Sequence, residues 1–202
     1  VHVGAAAAAW LAVNLPVYLR APTGWGRFLE LSRTRPADHD SLYRVVEEYA
    51  RAGASFPVDG LNVVTAALFV AAAGAVVVAG SRRRDPAATW ELFLPLLIAF
   101  LLTGKVYSPQ FSLWLLPLMA LSLPRLAPFL CFCAADLAVW LVRFPWLGGR
   151  QGFTPAPGYG AFALVVLLRA VILVWIAWVT VHQGAAYPHA VDDDARAAPV
   201  AG

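Results

Sequence analysis

From Leu61 to Gly80 the chain runs without one charged side chain, long enough to cross the roughly 30 Å hydrocarbon core of a bilayer as a helix. Such a run limits what the rest can be. In lipid every backbone N–H and C=O must be satisfied inside the protein, which leaves helices and closed barrels. The apolar runs lack the two-residue alternation of barrel strands, so the expected fold is all-α, a polytopic membrane helix bundle. Composition agrees: of 202 residues, 60% are hydrophobic and 13% charged, whereas soluble domains carry about a quarter charged residues. A soluble cytosolic enzyme, a disordered chain and a disulfide scaffold are excluded on that ground.

About six spans are expected, at 3–19, 61–80, 89–104, 109–123, 125–142 and 160–181, in one membrane domain over 1–185 with a disordered tail over 186–202. The first run lacks a basic leader, and Tyr18-Leu19-Arg20 makes a poor cleavage site, so it reads as a span and not a secretory signal. The chain opens at Val1 with Met119 its only methionine; an alternative start codon or a lost upstream portion is expected. The loop over 20–60 carries Leu42, Val45, Val46, Tyr49 and Ala50 at helical spacing. This predicts an amphipathic surface helix over 40–52, with Asp40 placed to cap it and Arg44/Glu48 and Glu47/Arg51 paired on its wet face. A weaker amphipathic stretch runs from Trp25 to Ser32. Either helix lies flat at the membrane surface or packs on the bundle.

Partners other than lipid leave little trace. The arginines are scattered between apolar runs, which gives no stripe for nucleic acid. Cys131 and Cys133 stand about 200° apart on a helix, unsuited to sharing a metal, and Asp192–Asp194 read as solvated charge; no metal or cofactor is expected.

Two charges fall inside apolar runs. Asp136 and Arg169 each cost on the order of 3 kcal/mol at bilayer depth, so each needs a partner or an aqueous cavity. They sit at matching depths in consecutive antiparallel runs, which predicts a buried Asp136–Arg169 ion pair, structural or functional. Orientation is contested. Arg82-Arg83-Arg84 argues for a cytoplasmic loop there, with both termini inside. That arrangement puts more basic residues outside, on the 20–60 loop, at Lys105 and at 143–159, than inside.

The stretch Thr103-Gly104-Lys105-Val106-Tyr107-Ser108-Pro109-Gln110 joins two short apolar runs interrupted by Pro95 and Pro117. Short or broken hydrophobic segments are where helix ends face a cavity and not lipid. Lys105, the chain's only lysine, with Gln110 and the Tyr107 and Ser108 hydroxyls, offers a cation and several donors suited to a phosphate or a sugar. The other reading is a capped turn with Lys105 snorkelling to headgroups.

Lys105-Val-Tyr-Ser-Pro-Gln110, followed by Trp114-Leu-Leu-Pro117, resembles the Lys-x-x-Ser-Pro-Gln segment of actinobacterial glycosyltransferase family 87, polytopic mannosyltransferases that use polyprenyl-phosphate sugars. Ser32-Arg-Thr-Arg-Pro-Ala-Asp38-His-Asp40-Ser41-Leu-Tyr43 resembles an extracytoplasmic surface helix of the same proteins. The likeness covers most of 20–125. It implies a C-type membrane glycosyltransferase fold in a cell membrane, sugar transfer at the outer face, a cytoplasmic Arg82–Arg84 loop and cytoplasmic termini. It also implies a polyprenyl-phosphate donor, mannose as the sugar, and no nucleotide. Lys105 and Gln110 would contact the donor phosphate or sugar, Tyr107 and Ser108 would shape the turn, and Arg33, Arg35, Asp38 and Asp40 would contact the acceptor or the donor headgroup. Family members are longer, with a catalytic aspartate in an early outer loop. No acidic residue here precedes Glu30, so the expectation is a C-terminal part, inactive alone, with the N-terminal half supplied upstream or by a separate chain. The competing readings are a transporter fragment using Asp136, Arg169 and Lys105 along a pathway, and a non-catalytic membrane protein.

Overall fold

The computed structural model describes residues 2–81, 86–123 and 125–183; Arg82–Arg84 and the expected tail over 186–202 lie outside them. All regular structure among the described residues is helical: α1 (His2–Arg20), α2 (Pro22–Thr34), α3 (Leu42–Ala50), α4 (Val58–Gly80), α5 (Phe93–Thr103), α6 (Ser112–Ser122), α7 (Leu126–Arg150) and α8 (Tyr159–Gln183). Short 3₁₀ turns over Pro86–Leu92 and Pro109–Phe111 lead into α5 and α6. α1, α4, α7 and α8 are long and apolar enough to cross a membrane, and the protein is an all-α membrane protein. The runs expected as the third and fourth spans hold two shorter α-helices, each continuing from its 3₁₀ turn. α5 and α6 have 11 residues each, about 16 Å of α-helix at 1.5 Å per residue, and the 3₁₀ turn Pro86–Leu92 lengthens the run into α5. The two helices pack as a hairpin turning at Gly104–Ser108.

α7 and α8 form the central antiparallel pair. On α7 the buried positions Pro128, Phe132, Ala135 and Val139 recur every three to four residues, with Trp146 two turns further on, the stripe of a helix that faces one partner. On α8, Phe162, Val166, Ala170, Leu173 and Ile176 make the answering stripe. Leu130, Leu137, Trp140 and Leu141 of α7 and Leu164, Val171 and Val174 of α8 point outward, as lipid-facing residues do.

The core divides in two. One apolar cluster joins α5, α6, α7 and α8 through Leu94, Ile98, Leu101, Leu115, Met119, Phe132, Leu173 and Ile176. The other joins α3 to α7 and α8 through Val45, Val139, Trp146, Phe162 and Val166. Asp136 falls between Phe132 and Val139, and Arg169 between Val166 and Leu173. A polar layer therefore separates the clusters. α1 stands apart on α2, held by Trp25 edge-on to Trp10 and Tyr18 and by a 3.1 Å bond from Trp25 Nε1 to Asn14 Oδ1.

α7 runs eight residues beyond its expected end at 142 (150 − 142 = 8), and the loop after it shortens. The loop folds back on the helix end: a Cβ added at Gly149 would overlap the Ala156 Cβ, whereas one at Gly148 would meet Phe153 at ordinary contact distance. Gly149→Ala is therefore expected to destabilise the protein by about 1–3 kcal/mol, and Gly148→Ala to be tolerated. Thermal unfolding in detergent checks this; equal effects of the two would contradict the packing.

Candidate functional site

Pro36 ends the helical run of α2, because the residue before a proline is driven into extended backbone. Arg35 is extended accordingly. The chain then crosses the bundle as an irregular strap from Arg35 to Ser41. Asp38 N–H donates to the Lys105 carbonyl at 2.8 Å, which seats the strap on the α5–α6 turn. Ser41, and not Asp40, caps α3: its Oγ accepts from Arg44 N–H at 3.3 Å. Asp40 is turned the other way. Its side chain is fully buried, and Arg143 Nε donates to its Oδ1 at 2.7 Å. Its second oxygen, Oδ2, has no partner. Burial pushes the Asp40 carboxyl above its ordinary value, with the Arg143 bond and charge opposing.

Beneath the strap lies the polar layer. Arg169, 1% exposed, donates from Nη1 to Asp136 Oδ1 at 3.1 Å and from Nη2 to the Asp40 carbonyl at 3.4 Å. Its guanidinium lies 3.8 Å from the centre of the Tyr107 ring. Ser112 Oγ donates to Asp136 Oδ1 at 2.6 Å, and the Tyr107 hydroxyl stands 3.4 Å from Ser112 Oγ. The structure thus brings Asp136 and Arg169 together. It adds Tyr107, Ser112, Asp40 and Arg143, which sequence spacing did not link to them.

The four residues of the turn point in three directions. Lys105 is buried, and its Nζ donates to Asn62 Oδ1 at 2.5 Å, while Asn62 Nδ2 donates to the Arg33 carbonyl at 2.9 Å. Burial, then the Arg35 charge, lowers the Lys105 pKa. Tyr107 faces inward under Arg169. Ser108 Oγ donates to Gln110 Oε1 at 2.8 Å on the outer side. Arg33 and Arg35 expose their side chains, and Arg35 pairs with Asp38 at 3.3 Å.

Two grooves open on this end. A polar one of about 320 Å³ is lined by Arg35, Asp38, His39, Arg44, Glu47 and Arg150 among others. An apolar one of about 400 Å³ runs between α3 and α4, lined by Tyr43, Val46, Phe56, Leu61 and Val64 among others. Lys105 lines neither, but Tyr43 of the apolar groove donates its hydroxyl to the Thr103 carbonyl at 2.8 Å. The expected wet-face pair Glu47/Arg51 does not form. Glu47 is buried, bonded to Arg44 at 3.1 Å and to the Phe56 N–H at 2.8 Å, because the loop after α3 folds over it. Arg51 stacks on Phe56 instead, 4.7 Å from the ring centre. Arg44 does reach Glu48, at 3.2 Å.

Asn62, Arg143, Arg150 and His39 are the polar residues of this end that sequence reasoning left out. Only a lone polar residue early in an apolar run, Asn62, carried a signal that could have been used. Among the described residues no three His, Cys, Asp or Glu side chains gather closely enough to hold a metal ion. Comparison of the chain with models of protein families, with curated proteins and with solved structures finds no match.

Two outcomes follow from these contacts. Arg169→Leu leaves the partly buried Asp136 carboxylate without its cation, and breaking a fully buried pair from one side costs about 3–5 kcal/mol, an upper bound here. The Asp136→Leu, Arg169→Leu double variant is expected to lose less, as read by detergent unfolding; equal losses would contradict the coupling. His39 is lowered below its ordinary 6.5 by burial first and the Arg150 charge second. Just below pH 6.5 the unfolded chain therefore binds a proton that the folded chain does not, and stability falls as pH falls. His39→Gln is expected to flatten that slope in unfolding measured between pH 7.5 and pH 5 (about the range where histidine titrates).

Proposed function

We propose that the chain is the C-terminal part of an integral membrane glycosyltransferase that moves a sugar, mannose by the resemblance, from a polyprenyl-phosphate donor to an extracytoplasmic acceptor. One observation carries this reading furthest: the two segments that resemble glycosyltransferase family 87, far apart in sequence, touch through Asp38 to Lys105, with Tyr43 bonded to Thr103 just ahead of the second.

The chemistry of the contact supports it. Lys105 Nζ has a neutral partner, Asn62, and among the described residues no carboxylate within ion-pair distance. Two of its three N–H groups remain for an anion. Asn62 follows Leu61, a wall of the apolar groove, so a prenyl chain lying in that groove brings its phosphate toward Lys105. Gln110 and Ser108 lie on the same turn for the sugar. Arg35 and Asp38 border the polar groove and suit an acceptor hydroxyl-rich headgroup; Arg33 lines neither groove and exposes its side chain, and Asp40, buried against Arg143, faces neither. In the transfer, the acceptor oxygen bonds the anomeric carbon as the carbon–phosphate oxygen bond breaks. Polyprenyl phosphate leaves, and the acceptor proton passes to a carboxylate acting as base. Lys105 stabilises the phosphate charge that grows on leaving. In this reading the strap, α3 and the Lys105 turn face the cell exterior, and the Arg82–Arg84 loop and both termini face the cytoplasm, in a cell membrane.

The chain in lipid nanodiscs is expected to bind a short-chain polyprenyl-phosphate mannose and not the matching neutral polyprenol. Lys105→Met should weaken that binding by about tenfold or more, since a charge-assisted hydrogen bond contributes about 1.5–3 kcal/mol. Equal binding of the alcohol, or unchanged affinity in Lys105→Met, would overturn the reading.

A further inference from the structure

The Asp40 carboxylate is an odd occupant of its place. It is fully buried, yet it takes one hydrogen bond, from Arg143 Nε, and leaves Oδ2 without a partner. Its neighbours are under-used as well. Among the described residues the two terminal nitrogens of Arg143 make no hydrogen bond to protein, and its guanidinium lies over the Phe144 ring, 5.5 Å from the centre. Arg169 reaches the strap only through a long 3.4 Å bond to a main-chain carbonyl. Beside Asp40 and Arg169 a cavity of about 10 Å³ remains, walled by Ser41, Leu101, Tyr107 and Val166 among others, about the room of one water. A planar guanidinium matches two oxygens of a carboxylate or phosphate at once, and neither arginine is matched so here.

The charge count says what the strap is covering. With Asp40 in place, Arg143 and Arg169 face Asp40 and Asp136, and the layer is neutral. If the strap lifts, two guanidinium groups face one carboxylate, an excess positive charge inside an apolar bundle, where an unpaired charge is costly. An anion must then replace Asp40. The strap can lift at modest cost, since it is irregular backbone and the preceding helix α2 buries no residue of its own. Arg143 keeps an exposed edge, with 16% of its side chain accessible, which gives an incoming group a path.

We propose that Arg143 and Arg169 form a latent binding site for a phosphate-headed ligand, with Asp40 as its intramolecular stand-in. The strap Arg35–Ser41 is the cover of that site, and ligand and strap exclude each other. The inference uses neither Lys105 nor sugar transfer. Phosphate is favoured over carboxylate because its oxygens exceed those of Asp40 and can engage the nitrogens that Asp40 leaves idle.

Removing the stand-in tests this. When a site is open in only a fraction of molecules, apparent affinity falls by that fraction, so Asp40→Ala should bind phosphate about tenfold more tightly than the unaltered chain, or better. The probes are inorganic phosphate and dodecyl phosphate, titrated calorimetrically into the chain in zwitterionic nanodiscs, with dodecanol as the neutral control. Asp40→Asn, which keeps the side chain's shape, serves should Asp40→Ala fail to fold. Arg143→Gln in either background should abolish the gain, and Lys105→Met should leave it in place. Binding of both phosphates marks a site for the free anion; binding of dodecyl phosphate alone marks a lipid headgroup, and both support the site. Four results would overturn it: no gain in the folded Asp40 variants, a gain shared by dodecanol, a gain that survives Arg143→Gln, or one that Lys105→Met removes.

Discussion

A guanidinium in the middle of an apolar helix bundle has to be held from several sides, and Arg169 is held from three. Asp136 supplies the charge, the Tyr107 ring lies against its face, and the Asp40 carbonyl takes the remaining bond. These contacts come from α7, from the α5–α6 turn and from the strap before α3. The same few ångströms thus position every element at this end of the molecule. Without that layer the two apolar clusters would have no reason to keep their register, since lipid tails solvate leucine about as well as another helix does.

The short hairpin follows from this demand. Neither α5 nor α6 is long enough to cross a bilayer by itself, and their turn is not left to lipid. Lys105 is anchored to Asn62, its carbonyl takes the Asp38 N–H, and the Thr103 carbonyl takes the Tyr43 hydroxyl. Irregular backbone at depth survives where protein groups satisfy it. The polar turn, the strap and the apolar groove beside Tyr43 are consequently neighbours, the arrangement on which the proposed lipid-linked donor rests.

Much of this was legible in the sequence where the physics is local. Twenty-odd predominantly apolar residues give a helix whatever surrounds them, and α4 and α8 ended within three residues of their expected bounds. Matching depths in adjacent antiparallel runs were enough to pair Asp136 with Arg169. Contacts over long separation were not legible. Asp40 stands before a helical stripe and looks like its cap, but Arg143, more than a hundred residues on, draws it inward and leaves the cap to Ser41. Glu47 has helical spacing for a wet-face pair, and only the fold of the following loop shows that it is buried. The turn at Lys105 was recognisable as unusual from its broken apolar flanks. The directions of Lys105 and Tyr107 in it depend on α4 and α8, whose placement no spacing rule supplies.

Hydrogen exchange of the strap tests the central claim, that a buried ion network holds Arg35–Ser41 inside the bundle. The Asp38 and Ser41 amides, bonded to the Lys105 and Asp38 carbonyls, should exchange about a hundredfold more slowly than in an unstructured peptide, a local opening free energy of ~2.7 kcal/mol. That protection should fall sharply in Arg143→Gln while α7 and α8 stay protected. A strap that exchanges freely in the unaltered chain, or one indifferent to Arg143, would contradict the account.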